Sequence, residues 1–566
     1  MAEKVRIAHL AGPTATIQNT PPLVTSNKAR RKHGLKLLSG VDGAPLPYDA
    51  LRGQRLAAPA KVYVEQFSAH PLEADSAALY APPDGYVGAD GAFSPERRSP
   101  DDRPVYEIEM LPEDGLYPLP YMARQADGAA WEEECATPGG ADEEARQGFY
   151  PDGSRSFEEI DRLMVDDAGI ASAISALADV DFHRGVPPGG YRGGLAEAER
   201  PDTGEGDIPA ERRGRDFFPY KPYHLTAPPP RPTLAKATNE MQALVSDDAY
   251  DGVIWTQGSP DVEDSAYWFN LLIDTEKPIC GVAAQRPQGQ ISNDGPANIV
   301  DCVRYIASRV WADADGRDRC GAVVIQEQQV FAAREVAKVD ARPGGYVATG
   351  GHGGIVGQVH YTGRFMLTYL PVYRHTYGSD VNLSRLPAST TAVRAGPDGG
   401  IERFDIAVKD ADGKLLANAI PVVSIEKNGC YAGLEIGDDP ALEKDLAQSV
   451  EHKLSLGRLA GFVVEGLVPY GLNTSAARHS VLLRATACGL PVVRVGRGHT
   501  QGFADYSDYQ VSGANLTATK ARLLLMACLL RFGSLPPAAD PDNPTAAELA
   551  AIRDALARYQ AVFDTH

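Results

Sequence analysis

Two polar turns that follow apolar stretches carry side chains able to do chemistry. The turn at 11–16 holds Thr14, and a threonine hydroxyl at the end of a strand can act as a nucleophile. The turn at 256–261 offers the hydroxyl of Ser259, the carboxylate of Asp261 and the N–H groups of a helix start to one small molecule. Each turn taken alone is explained better by a turn whose polar side chains cap backbone groups and do no chemistry.

The segments around these turns predict half of a β-strand–helix–β-strand unit. Residues 252–255 are apolar, an amphipathic helix follows the turn, and Pro260 suits the first turn of that helix. Proteins built from these units bind ligands at the carboxyl ends of their strands, and both turns fall there. Lys338 follows the apolar stretch 320–327 in a predicted loop, where a single lysine is commonly exposed to solvent.

Apolar stretches alternate with helical patterns along the chain, which predicts an α/β fold. We expect a larger N-terminal domain with a doubly wound, mostly parallel sheet, and a smaller C-terminal α/β domain. Frequent proline and glycine at about 80–232 predict a large insertion, which is a lid, an oligomer contact or surface decoration. The predicted divisions are an N-terminal domain at 1–375, a linker and β-hairpin turning at Asp412-Gly413 within 376–434, and a C-terminal domain at 435–566.

Charge and hydropathy exclude several classes of partner. The 566 residues include 55 basic and 75 acidic side chains, for a net charge of -20, which argues against nucleic acid and anionic membranes. No apolar run approaches the ~20 residues that span a bilayer. The start MAEKVRIAHL lacks the apolar core of a signal peptide.

The cysteines and histidines predict neither disulfides nor a metal site. Seven widely spaced cysteines without a CxxC pair indicate reduced, buried thiols in a cytoplasmic protein. The 12 histidines show no HxH or HExxH spacing, so no metal is expected. No GxGxxG or P-loop stands at a suitable strand–helix junction, so no nucleotide cofactor is expected either.

Taken together, the motifs resemble the L-asparaginase/glutaminase family of threonine amidohydrolases. AGPTAT at 11–16 is similar to the family's TGGTIA turn, and QGSPD at 257–261 followed by VEDSAYWF is similar to HGTDT followed by EETAYF. The segment KPICGVAAQRPQGQISNDGPANI resembles KPV…GAMRP…S-x-DGP-x-N, and REVAK at 334–338 resembles RDVTK. Near the C-terminus, ATACGLPVVRVGRGHTQG and LTATKARLLL resemble the family's final βαβ unit. The order of the four segments is more specific than any one of them.

The resemblance implies that Thr14 is the nucleophile, that Ser259 supplies a second hydroxyl, and that Lys338 takes up a proton through a hydroxyl relay. Thr14 Oγ would attack an amide carbon, release ammonia or an amine, and leave an acyl-enzyme for water. Backbone N–H groups of the turns would hold the oxyanion, and losing one such donor costs ~10²- to 10³-fold in rate. The resemblance also implies a site completed by a neighbouring subunit, hence a homodimer or homotetramer, with no cofactor.

This sequence departs from the family pattern at several substrate-facing positions. Pro260 replaces the family's aspartate, so Asp261 is the candidate to take its place, and Pro13 replaces a glycine of the first turn. No tyrosine follows soon after Thr14, and Tyr48 is a distant candidate for the assisting role. Candidate substrate-binding residues are Glu73, Asp75, Ser76, Gln257, Gly258 and Asn473.

The predicted function is therefore an amidohydrolase acting on a small carboxamide. Asparagine, glutamine, their N-substituted forms, and cyclic amides or imides all remain open as substrates. The alternative is a non-catalytic binding or sensing protein on the same fold, which is favoured by Pro13, Pro260 and the missing tyrosine. Retention of Lys338 beside two hydroxyls favours the enzyme.

Overall fold

A computed structural model describes parts of the first 229 residues and most of the chain beyond them. The described residues are 4–12, 53–54, 60–64, 83–87, 93–110, 117–118, 177–184, 230–259, 261–286, 292, 294–342, 344–349, 352–360, 362–427, 443–466, 475–497, 504 and 506–566. They fall into two units. Unit 1 comprises 1–12, 228–285 and 297–566, and unit 2 comprises 13–227 and 286–296.

The strands in chain order are β1 (Val5–Ala11), β2 (Gly53–Gln54), β3 (Ala60–Val64), β4 (Gly85–Val87), β5 (Phe93–Ser94), β6 (Arg103–Met110), β7 (Tyr117–Pro118), β8 (Ala178–Arg184), β9 (Gly252–Thr256), β10 (Ile279–Val282), β11 (Val323–Gln326), β12 (Gln329–Ala332), β13 (Val336–Lys338), β14 (Tyr346–Ala348), β15 (Ile355–Val359), β16 (Phe365–Leu367), β17 (Ser389–Ala395), β18 (Ile401–Ala407), β19 (Val422–Lys427), β20 (Ala460–Gly466), β21 (Val492–Gly496) and β22 (Val511–Ser512). The helices are α1 (Pro230–Ser246), α2 (Asp261–Leu272), α3 (Gly295–Ser308), α4 (Lys444–Leu456), α5 (Ala476–Ala487), α6 (Ala518–Phe532) and α7 (Ala546–Phe563).

The larger sheet of unit 1 is parallel in one half and antiparallel in the other. Its strands within unit 1 lie in the order β16–β15–β12–β11–β10–β9–β1. The four strands β1, β9, β10 and β11 run parallel, and β11, β12, β15 and β16 run antiparallel. Strands β9, β10 and β11 are buried along their whole length, as expected for parallel strands covered on both faces. The predicted α/β class is confirmed, and the antiparallel half is a feature that the sequence did not predict.

The change of direction occurs at a two-residue turn between β11 and β12. Glu327 and Gln328 have φ angles of 47° and 65°, which is the left-handed pair that a tight hairpin of this type requires. Neither is the glycine or asparagine that usually marks such a turn. The side-chain oxygen of Asn298 accepts the Glu327 N–H at 3.0 Å and holds the turn in place.

Lys338 lies on a strand, so the predicted loop is wrong. β13 and β14 pair antiparallel, and Lys338 stands directly opposite Tyr346. Opposed residues of an antiparallel pair share one face, so the two side chains project to the same side of the hairpin. A three-residue strand is stabilised by its partner rather than by its own pattern, and this explains why the sequence alone did not reveal it.

The smaller sheet of unit 1 is wholly parallel and forms the second α/β layer. Its order is β19–β20–β21–β22, and helices α4, α5 and α6 supply its cover. Buried residues of α4, β20 and β21 form one hydrophobic cluster that includes Leu454, Phe462 and Val492. A hairpin also occurs between 376 and 434, but its strands β17 and β18 turn at 396–400, and Asp412-Gly413 form a separate turn.

Unit 2 contains the described strands β2 to β8. Strands β3, β6, β4 and β5 form an antiparallel sheet in that order, and β2 pairs antiparallel with β7. Arg98 and Ser99 donate their backbone N–H groups to the carboxylate of Asp102 at 2.8 and 2.9 Å, which closes the turn before β6.

The cysteines within the described residues are buried and form no disulfide. These are Cys280, Cys302, Cys320, Cys488 and Cys528. Burial raises the pKa of Cys280 and raises that of Cys320 to about 12, so these thiols stay protonated and unreactive. This agrees with the predicted reduced, buried cysteines.

Asp318 is a buried acid whose effect on stability depends on pH. It is fully buried, one carboxylate oxygen accepts the Cys320 N–H at 2.9 Å, and burial raises its pKa from 3.8 to about 8. The folded state therefore holds a proton that the unfolded state releases, so stability falls as the pH rises from about 4 to about 8.

We expect Asp318→Asn to flatten this dependence. Asparagine keeps the acceptor oxygen and mimics the neutral acid, so the slope of unfolding free energy against pH changes by about 1.4 kcal/mol per pH unit within the window. Urea unfolding followed by tryptophan fluorescence measures this, since Trp255, Trp268 and Trp311 are buried in unit 1. Parallel pH profiles for the two proteins would contradict the assignment. The exposed Asp412→Asn is the control.

Candidate functional site

The ends of three parallel strands meet at one edge of the larger sheet. Gly12, which follows β1, donates its N–H to the carbonyl of Thr256 at 2.8 Å, and Gln257 donates its N–H to the carbonyl of Val282 at 3.1 Å. A Cβ at position 12 would collide with the Gln257 side chain and lie 2.8 Å from the Trp255 ring, so this position needs glycine. The turn after β9 is thus fixed on both sides.

Ser259 lies in this turn and accepts two hydrogen bonds. The Tyr346 hydroxyl donates to Ser259 Oγ at 2.9 Å, and the amide Nε2 of Gln285 donates to the same oxygen at 3.3 Å. Gln285 follows β10, and Tyr346 opens β14, so three separate elements converge on one serine oxygen. Ser259 is half-buried, which leaves it accessible to a small molecule.

Lys338 joins the same cluster through Gln285. Its Nζ donates to Gln285 Oε1 and to the carbonyl of Arg342, the latter at 2.9 Å. The ammonium group also lies 5.4 Å from the centre of the Tyr346 ring, a cation–π distance. The structure therefore connects Lys338 to Ser259 by way of an amide.

Glu263 fixes the backbone of Lys338 from the first turn of α2. Its carboxylate accepts the Lys338 backbone N–H. Burial raises the pKa of Glu263 to about 7, and the positive charge of Lys520 opposes that rise. Asp261, at the start of the same helix, adds a negative charge that also raises it.

Lys520 connects helix α6 by hydrogen bonds to two backbone carbonyls near the site. It is almost completely buried, and its Nζ donates to the backbone carbonyls of Glu263 at 2.5 Å and Ala333 at 2.8 Å. Burial lowers its pKa to about 8, while Asp264, Glu263 and Glu335 favour the charged form. Lys520 on α6 therefore connects the start of α2, which carries Glu263, with the segment just before β13, which carries Lys338.

Tyr346 stays protonated throughout the physiological range. Burial raises its pKa to about 12, with a smaller opposing effect from the hydrogen bond to Ser259. A phenol that keeps its proton donates it, and in this structure the acceptor is Ser259.

The structure brings some of the predicted site residues together. Ser259 and Lys338 belong to one network, and Asp261 begins α2 beside it. Gln257 is buried against Gly12, and the carbonyl of Gly258 accepts the first hydrogen bond of α2, from Val262 at 3.1 Å. The remaining predicted residues lie outside the described part of the chain; these are Thr14, Glu73, Asp75, Ser76 and Asn473.

Sequence reasoning missed four members of this arrangement: Gln285, Tyr346, Glu263 and Lys520. Gln285 carried a signal, because it is the first polar side chain after an apolar strand at a predicted ligand edge. Tyr346 follows Gly344-Gly345, a turn signal that would have predicted a hairpin back across Lys338.

The described residues contain no group of three or more histidine, cysteine, aspartate or glutamate side chains placed to hold a metal ion. Among the helices described, none combines the length and the apolar character needed to cross a membrane.

Comparison with known proteins identifies the segment that carries this site. Residues 232–356 match the family model described as "Asparaginase, N-terminal", a window that contains Ser259, Gln285, Lys338 and Tyr346. The chain is 27% identical over 187 residues to "L-asparaginase 2" of Bacillus subtilis (strain 168), covering 31% of this chain and 45% of that protein. It is 28% identical over 155 residues to "Glutaminase-asparaginase" of Acinetobacter glutaminasificans, covering 27% and 43% respectively. The chain thus spans less than half the length of these relatives.

A solved structure also matches. The "Probable Cytoplasmic L-asparaginase from Campylobacter jejuni" aligns with a TM-score of 0.43 and 19% identity, covering 69% of this chain and 91% of that one.

Proposed function

We propose that this chain, which is an asparaginase-like family member, is an amidohydrolase that cleaves a small carboxamide. The observation that carries the proposal is the cluster at the strand ends. Ser259 and Lys338 come from different strand ends, 79 positions apart in the sequence. Both side chains hydrogen-bond to Gln285, and all three residues lie inside the matched segment. A plain capped turn has no need of a lysine brought in from another element.

The proposed reaction uses Thr14 as the nucleophile. Its Oγ forms a bond to the amide carbon, the C–N bond breaks, and ammonia or an amine leaves with the proton. Water then attacks the acyl-enzyme and releases the carboxylate. Gly12, two positions before Thr14 in the sequence, is fixed by the hydrogen bond from its N–H to the carbonyl of Thr256. The Ser–Lys relay enters this proposal as an assisting link from Ser259 through Gln285 to Lys338.

The substrate class follows from the names of the relatives and from the departures in this chain. The relatives are described as asparaginases and glutaminase-asparaginases. Asparagine, glutamine, their N-substituted forms and small lactams or imides are the proposed substrates, because Pro260 stands where the family pattern has an aspartate. Asp261 is the proposed replacement, with Glu73, Asp75, Ser76 and Asn473 as further substrate contacts.

We also propose a homodimer or homotetramer and a division into domains at 1–375, 376–434 and 435–566. The two separate sheets of unit 1 support two α/β domains, and the smaller sheet begins with β19 (Val422–Lys427), inside the segment 376–434. Sedimentation velocity of the purified chain measures the oligomer.

The function is tested by ammonia or amine release from a panel of those amides. Wild-type protein is expected to turn over at least one member. Release from none of them, with calorimetry showing that one still binds, would replace the enzyme by the binding or sensing protein.

A further inference from the structure

We infer that Gln285 and Tyr346 are positioning residues that fix Ser259 as a hydrogen-bond donor to the bound substrate. The inference rests on the proposed function for the identity of the ligand. The direction of the hydrogen bonds around Ser259 carries it.

The direction is set at Lys338. An ammonium group has only donors, so the side chain of Gln285 must present its carbonyl oxygen to Nζ. The two ends of a primary amide are opposite in character, so the NH₂ group of Gln285 must then face the other way. It faces Ser259 Oγ at 3.3 Å, and it can only donate.

Tyr346 adds a second donor to the same oxygen. Its hydroxyl lies 2.9 Å from Ser259 Oγ, and burial raises the pKa of the phenol, which keeps it protonated. The proton of Tyr346 therefore goes to Ser259.

These two bonds fill the acceptor capacity of the serine. A hydroxyl has one proton and two lone pairs, and Ser259 accepts from Gln285 and from Tyr346. Within the described part of the chain, the hydrogen bonds of its side chain are these two. The serine proton is thus directed away from the network, toward whatever occupies the site.

The bond from Lys338 to Gln285 and the bond from Gln285 to Ser259 point the same way. Chains of hydrogen bonds that share a direction polarise one another, so the positive charge of Lys338 strengthens the terminal O–H as a donor. An amide between the two side chains does not pass a proton from one to the other, so the Ser–Lys relay of the proposed mechanism is narrowed to an electrostatic effect. Lys338 therefore acts on Ser259 electrostatically, and the partner of the serine is an acceptor: a carbonyl or carboxylate oxygen of the substrate.

Three substitutions separate this role from a merely structural one. Gln285→Met keeps the length and removes the donor, and Tyr346→Phe removes the other donor. Each is expected to lower kcat/KM about 10-fold, the loss typical of one hydrogen bond. Gln285→Glu keeps the shape but offers only acceptors, so Ser259 turns its proton to the new carboxylate and kcat/KM falls about 100-fold at pH 8.

The pH profile is the readout that a structural role does not move. The carboxyl group introduced by Gln285→Glu donates again once it is protonated. Because the adjacent Lys338 ammonium group lowers the pKa of that carboxyl group, the ratio of this variant's kcat/KM to that of wild type is expected to stay low from pH 8 to about 5 and to rise below about pH 4. Gln448→Glu, an exposed position on α4, is the matched control and is expected to follow wild type.

The outcomes distinguish the inference from the proposed function. The inference is overturned if the wild-type protein turns over an amide and Gln285→Glu is as active as wild type. It is also overturned if Gln285→Glu is more active than Gln285→Met at pH 8. Either result leaves the proposed function standing. If the wild-type protein turns over none of the amides, the proposed function fails. The inference is then tested by calorimetry on the panel members that bind, where the affinities of the variants are expected to follow the same order. Binding of none of them overturns both.

Discussion

Thr14→Ala is expected to lower turnover on the order of 10³- to 10⁶-fold, because in the proposed reaction it removes the atom that bonds to the substrate carbon. Position 14 is two residues beyond Gly12 in the sequence, and the Gly12 N–H is fixed by its hydrogen bond to the carbonyl of Thr256. Substrate affinity in calorimetry is expected to change far less than kcat. The neighbouring Thr16→Ala is the control, with activity close to wild type.

The double variant Thr14→Ala/Lys338→Met sharpens this test. Groups that act as a unit in one step are strongly non-additive, so the double variant is expected to be about as slow as Thr14→Ala alone. Lys338→Met alone is expected to lose on the order of 10²- to 10⁴-fold, the range for a positioned proton-transfer or electrostatic group. Substantial turnover by Thr14→Ala would remove threonine from the mechanism.

Lys520→Met is expected to destabilise the protein by about 3–5 kcal/mol, the cost of removing one partner from a buried ionic network. The methionine keeps the apolar stem but removes the hydrogen bonds that Lys520 donates to the carbonyls of Glu263 and Ala333. Glu263 also loses the positive charge that holds down its pKa. The measurement is the urea unfolding free energy from tryptophan fluorescence.

The same variant changes the pH dependence in a defined direction. Burial lowers the pKa of Lys520 from 10.5 to about 8, so the folded state releases a proton that the unfolded state keeps, and stability rises with pH between those values. That rise is expected to disappear in Lys520→Met. The exposed Lys236→Met on α1 is the control, expected within about 0.5 kcal/mol of wild type. Equal stability of Lys520→Met and wild type would mean that the network contributes no net stability.

The sequence alone predicts those parts of the site whose position depends on neighbouring residues along the chain. An apolar strand, a polar turn and an amphipathic helix at 252–272 predict where Ser259 stands, because neighbours along the chain decide it. The alternation of strands and helices likewise predicts the parallel half of the larger sheet. The antiparallel half was missed because its turn uses Glu327 and Gln328 in the left-handed region, where glycine or asparagine is expected.

The parts that depend on distant contacts did not follow from the sequence. Lysine is almost never fully buried, so no pattern rule places Lys520 in the core. Its position in the first turn of α6 even opposes the helix dipole, and it is the carbonyls of distant residues that compensate. Gln285 and Tyr346 gain their roles from each other and from Lys338, which lies on a strand that exists only through its pairing.

Because of that pairing, the two strands of the hairpin β13–β14 are expected to unfold locally together. Lys338 and Tyr346 are opposite each other on two three-residue strands, so neither can leave the site while the other stays. Short hairpins open far more readily than a core sheet. Amide hydrogens of this hairpin should therefore exchange with deuterium together and before those of β9. In dilute urea, activity should disappear with the hairpin signals, while most of the protein is still protected from exchange.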